Sequence, residues 1–144
     1  MFSRINWLAV VIAVIALEVL GYLWYGPVVG GAWMSAYRES FGHDPDLSHV
    51  AVTQSLGVIN TLILTLGLAM VLPKLGVSGL KSVVAAALIW LAFNFTTMAI
   101  DYLYVGLGLR LVGINMGYQI LAYVLAGAII GWMPVKAATS NAED

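Results

Sequence analysis

The chain has 144 residues, 62% of them hydrophobic and only 9% charged, with a net charge of −1 and no cysteine. Soluble domains carry roughly 25% charged residues, so these charges are too few for a water-facing surface, and lipid is read as the main solvent. The scattered Lys and Arg exclude a basic nucleic-acid surface, and the lack of thiols excludes disulfides, thiolate catalysis and cysteine-ligated metals.

Four apolar stretches have spanning length, which is about 20 residues for a helix. The first, 5–25, reads INWLAVVIAVIALEVLGYLWY and carries one carboxylate, Glu18, near its middle. It is too long for a signal-peptide core and ends in Tyr22, Trp24 and Tyr25 rather than a small-residue cleavage site, so it is read as a retained signal-anchor helix. A long connection follows, 26–49. Within it AWMSAYRESF sets Trp33, Tyr37 and Phe41 on one side of a short helix, a pattern suited to the membrane interface. Asp46 or Ser48 is placed to cap the next helix.

The remaining stretches are 50–72, 81–105 and 112–133. Pro27, Pro73 and Pro134 follow the first, second and fourth, where a helix can stop without losing internal hydrogen bonds. Short turns, PKLGVSGLK and GLGLR, make the last three spans antiparallel neighbours. The expected fold is therefore all-α: an antiparallel bundle of four transmembrane helices with an interfacial helix in the first loop. One domain, 1–136, accounts for it, and the polar tail 137–144 is read as disordered. Arg4, Lys74, Lys81 and Lys136 fall at one end, against Arg38 and Arg110 at the other. That bias places both termini in the cytoplasm of a cell whose inner membrane holds the protein.

At about 100° per residue each span divides into faces. Glu18 shares one with Trp7, Val11, Val14, Tyr22 and Tyr25, opposite Ala9, Ala13 and Ala16. Asn60 aligns with Thr53 and Gly57; Asn94 with Thr97 and Asp101; Asn115 with Gln119, beside Tyr118. With the termini inside, Glu18 lies ~4–5 Å and Asp101 ~12 Å outward of their helix middles, by a rise of about 1.5 Å per residue. Most polar side chains thus collect in the outer half. The candidate cavity comprises Glu18, Tyr22, Asn60, Asn94, Asp101, Asn115 and Gln119.

Two readings of that cluster stay open. An ion at membrane depth costs at least about 2.5–3.5 kcal/mol, so Glu18 and Asp101 are candidates for a proton- or ligand-handling site. Alternatively the amides fix helix register, at about 0.6 kcal/mol per bond on average, with Glu18 protonated and bonded to Asn60 or a tyrosine. Gly113 and Gly117, and Gly127 and Gly131, form GxxxG pairs where a helix can approach closely, within the chain or from a second copy. Arg110 has Asp101 or a lipid headgroup as partner. His43, Asp44, Asp46 and His49 meet no zinc spacing and read as a solvated loop. No catalytic motif appears, so neither an enzyme nor a cofactor is expected.

The chain resembles a family of small bacterial membrane proteins catalogued as domain of unknown function 1761. The resemblance rests on Asn6-Trp7 and on Gly21-Tyr22-Leu23-Trp24-Tyr25-Gly26-Pro27. It continues through Ala32-Trp33-Met34 and Ile114-Asn115-Met116-Gly117-Tyr118 to Gly127-Ala128-Ile129-Ile130-Gly131. It implies four spanning helices and transfers no activity. Two functions follow as expectations. One is a non-enzymatic scaffold, accessory or lipid-packing module, partnered by membrane lipids and by a second copy or a larger membrane complex. The other is a small permease, channel or ligand binder with an outward polar cavity.

Overall fold

The computed structural model describes residues 5–134, and every regular element among them is helical. Four helices are long and apolar enough to cross a membrane: Trp7–Val28, Val50–Lys74, Leu80–Tyr104 and Leu109–Trp132. They lie within a few residues of the expected spans because spanning length is set by apolar run length alone. The predicted tail 137–144 lies outside the described residues, as do Arg4 and Lys136.

Helix α1 (Trp7–Leu23) starts at Asn6, whose Oδ1 accepts the Ala9 N–H at 3.1 Å. The same side chain donates to the Met133 carbonyl at 2.9 Å, tying the two chain ends of the bundle together. Pro27 lacks an N–H, so the regular ladder cannot continue through it. The chain widens instead into a π-helical segment, Trp24–Val28, closed by the Val29 N–H on the Trp24 carbonyl at 2.9 Å. Helix α2 (Gly30–Phe41) departs immediately. A Cβ on Gly30 would stand 2.6 Å from the Tyr25 carbonyl oxygen, so this elbow requires glycine. Gly42, at φ +75°, ends α2 in the left-handed conformation glycine adopts freely.

Helix α3 (Val50–Lys74) returns along α1. The predicted caps are not used as such. His49 holds the N-cap position without a side-chain bond, and Asp46 instead accepts the Ser48 N–H at 2.8 Å, closing a turn two residues on. Helix α4 (Leu80–Ile89), a second π-helical segment (Trp90–Phe95) and helix α5 (Thr96–Tyr104) form the third span without a break. Thr96 and Thr97 hydroxyls donate to the Ala92 and Phe93 carbonyls, one turn back in the widened segment. Helix α6 (Leu109–Trp132) lies at the centre, packed on α1, α3, α4 and α5.

Packing is uneven along the bundle. At the end bearing Asn6 and Pro73, Val10 and Leu17 meet Leu68, Leu72 and Ala126 in one closed core. Gly127 and Gly131 face Ser82 and Ala86 so closely that added Cβ atoms would lie 2.5–2.6 Å from side-chain atoms of that pair. The Gly79 N–H on the Gly131 carbonyl, at 2.8 Å, completes the seam. At the opposite end, which carries α2, the helices part. Residues 50–60 of α3 are all exposed. The buried face of α1 is the alanine side, through Ala9 and Ala13, and the Trp7, Val11 and Tyr22 side faces outward. Small side chains let α6 and α3 come close, and that outweighs the pull of one carboxylate.

Candidate functional site

The space left where the helices part is a cavity of about 870 Å³. Both π-helical segments feed it. The first supplies Tyr25, whose hydroxyl donates to Asn115 Oδ1 at 3.2 Å. The second supplies Asn94, whose Nδ2 donates to Gln119 Oε1 at 2.7 Å. Asn115 and Gln119 stand one turn apart on α6, so two neighbouring rungs of that helix each receive a polar side chain from a widened turn. π-Helical turns occur mostly as single-turn insertions in α-helices, frequently at functional sites.

The first segment is locked onto α6. Trp24 Nε1 donates to the Ile114 carbonyl at 3.1 Å, and its ring lies over Gly117, where a Cβ would approach within 3.2 Å. Tyr118 rises over Gly21 in the same way and tilts against Tyr25 at 5.3 Å. From Tyr25 an aromatic stack runs through Trp33, Tyr37 and Phe41 along α2, with centroid separations of 4.6–5.9 Å. Of the predicted one-sided aromatic face of α2, Trp33 lines the cavity, and Tyr37 and Phe41 carry the stack on beyond it.

Four of the predicted cavity residues come together here: Asn60, Asn94, Asn115 and Gln119 all line it. Glu18, Tyr22 and Asp101 do not. Tyr22 is 76% exposed, Asp101 is exposed, and Glu18 is half-buried with no hydrogen bond or ion pair to any described residue. The cavity uses their neighbours Leu17 and Tyr102. For the third span the cause is the π insertion. One extra residue in a turn rotates everything beyond it by about 100°. Asn94 thus shares its face with Met98 and Tyr102 instead of Thr97 and Asp101. The tyrosines Tyr25, Tyr102, Tyr118 and Tyr123 all contribute to the walls; Tyr25 had a sequence signal through its place on the Glu18 face and Tyr118 through its place beside Asn115 and Gln119, and Tyr102 and Tyr123 had none.

None of the lining residues is Asp, Glu, Lys, Arg or His. The ion pairs among the described residues sit instead on the α2-end surface. Arg110 Nη1 pairs with Glu39 at 3.1 Å and reaches Ser35 at 3.4 Å, so its partner is α2 rather than Asp101. Ser40 Oγ accepts the Gly108 N–H at 3.1 Å, a second tie between α2 and the start of α6. Arg38 pairs with Asp44, and that hydrogen bond holds the Asp44 carboxyl below its ordinary range. The Ser48 backbone N–H does the same for Asp46. His43 Nδ1 lies 2.7 Å from the Asp44 carbonyl.

Of the glycines expected to pack helices, Gly127 and Gly131 meet α4 and Gly117 meets Trp24, all within the chain. Gly113 has nothing within 4 Å of a built Cβ.

Four helices of spanning length, with a cavity that sets a few amides among apolar and aromatic walls and has no charged side chain in its lining, define a small multi-helix protein of membrane type. The chain belongs to the family described as "Protein of unknown function (DUF1761)", whose sequence profile matches residues 8–131. Comparisons with curated proteins and with solved structures gave no match.

Proposed function

We propose that this protein is a multi-pass protein of the bacterial inner membrane, with both termini cytoplasmic, that holds a small ligand in the cavity at its α2 end. One observation carries the reading. Two π-helical turns deliver Tyr25 and Asn94 onto successive rungs of α6, at the wall of a cavity of about 870 Å³. Ligand pockets span about 300–1,000 Å³, with mostly apolar walls and a few placed polar groups. A purely structural amide network closes on itself, since interiors otherwise pack to crystal-like density. The proposed activity is binding, not covalent chemistry.

The test is native mass spectrometry of the full chain released from membranes, beside a Leu64→Trp variant that fills the cavity. The expected result is a bound small molecule on the wild type and none on a folded variant. A wild type that carries none, or a variant of equal thermal stability that keeps it, overturns the reading.

A second reading, an accessory or homo-oligomeric role, draws on α3. Its exposed half bears Thr53, Gln54 and Asn60, and polar groups at membrane depth favour protein neighbours over lipid. Chemical cross-linking in native membranes tests it; monomer alone counts against it.

A further inference from the structure

We infer that the cavity takes an uncharged, single-tailed membrane lipid whose head presents carbonyl oxygens, admitted sideways between α3 and α5. The inference rests on the binding reading above and names the class of ligand.

Charge comes first. An ionised head buried among these walls would need a counter-charge, and the lining offers none. Phosphate, carboxylate and ammonium heads are disfavoured together.

Hydrogen-bond capacity comes next. Asn115 and Gln119 each spend one carbonyl lone pair, on Tyr25 and Asn94, and Asn94 spends one N–H. Asn60 spends nothing within the described residues. The uncommitted amide capacity is then seven N–H, two each on Asn60, Asn115 and Gln119 and one on Asn94, against six carbonyl lone pairs, two each on Asn60 and Asn94 and one each on Asn115 and Gln119. Free N–H groups on all four amides suit a guest that brings acceptors, such as an ester, a ketone or a quinone ring.

Access points to the bilayer. α3 packs on α1 and α6 through its second half, and no packing of comparable extent joins it to α5. Asn60 is exposed and Ile63 is 65% exposed, although both line the cavity. That wall opens between helices, at the depth of lipid tails, rather than through the α2 surface alone. Leu64, Met98 and Ala122 give a tail an apolar floor. At roughly 30 Å³ per water-sized group the volume holds about 29 such groups, enough for one tail and a compact head.

The test uses the full chain in nanodiscs, with native mass spectrometry and thermal shift as readouts. Four probes are added separately: decylubiquinone, monoolein, oleate, and the water-soluble amide N-acetylglucosamine. Monoolein and oleate share a tail and differ in head charge, so the wild type alone decides the main point. The expected result is saturable binding of decylubiquinone or monoolein, with oleate at least tenfold weaker. Whichever binds identifies the carbonyl source, quinone ring or ester. Asn115→Leu with Gln119→Leu should weaken that binding about tenfold or more while a folded protein is retained. Oleate binding as tightly as monoolein overturns the inference. Saturable uptake of the sugar amide alone would also overturn it, yet leave a ligand-binding cavity. An empty cavity in every arm removes both.

Discussion

At the scale of single residues, the closest fit in the molecule is the seam of Gly127 and Gly131 on Ser82 and Ala86. An alanine at 127 would place its Cβ 2.6 Å from Ala86 Cβ and 3.0 Å from the Ser82 carbonyl oxygen. At 131 it would meet Ser82 Cβ at 2.5 Å and the Gly79 carbonyl oxygen at 3.0 Å. Backbone atoms stand in the way at both positions, so a rotamer change cannot relieve the clash. Overpacking of this kind costs about 1–3 kcal/mol, against about 1 kcal/mol gained in helix propensity on replacing glycine. Gly127→Ala and Gly131→Ala should therefore lower the thermal midpoint in detergent. Gly113→Ala, with open space around it, should leave the midpoint unchanged or raise it. Equal midpoints for all three would mean that the α4–α6 seam is looser than this packing requires.

At the scale of elements, the exposed loop 42–49 is tied to helix α2 by an ion pair, while α2 itself is held by the buried Ala36, by its aromatic stack on Tyr25 and by the Arg110–Glu39 pair. Arg38 pairs with Asp44 and keeps that carboxyl ionised to lower pH than usual. The sign follows directly. A carboxyl whose pKa is lowered in the folded state contributes its stabilisation above its ordinary range and loses it as pH falls through the lowered value. Hydrogen-exchange protection of 42–49 should thus be flat from pH 8 to 5 and decline only under strong acid. In Arg38→Gln the Asp44 titration midpoint, read by carboxyl-carbon NMR, should move up toward the ordinary value. A midpoint that stays put would remove Arg38 as the cause. The spans themselves were legible in the sequence, because apolar length is a sum over residues and needs no partner. The amides Asn60, Asn94, Asn115 and Gln119 were legible as a cluster for a related reason: an amide at membrane depth must find company. The π-helical turns were not legible. Pro27 marks an interruption but not its form, and nothing in WLAFNF marks one. A single extra residue per turn was enough to exchange Asp101 for Tyr102 on the cavity face. Glu18 failed differently. Ala9 and Ala13 offered α6 and α3 a closer approach than the carboxylate side could, so helix packing set the rotation of α1.

At the scale of the whole molecule, closed and open ends also differ in charge. Lys74 and Lys81 flank the α3–α4 turn at the closed end, and no ion pair joins either to another described residue. Arg38 and Arg110 sit at the open end, each beside a carboxylate of that same end. Cationic loops are retained on the cytoplasmic side, and the count of Lys and Arg near span ends sets orientation. With Arg4 and Lys136 added at the chain ends, the closed end is the one expected inside, and the cavity opens within the outer half of the membrane. The chain has no cysteine, so single cysteines report without interference. Ser48 and Ser78 are exposed in loops at opposite ends of the bundle. In intact spheroplasts an impermeant maleimide should label Ser48→Cys at once and Ser78→Cys only after lysis. The reverse pattern would place the cavity in the cytoplasmic half, where a lipid drawn through the α3–α5 gap would come from the inner leaflet instead of the outer.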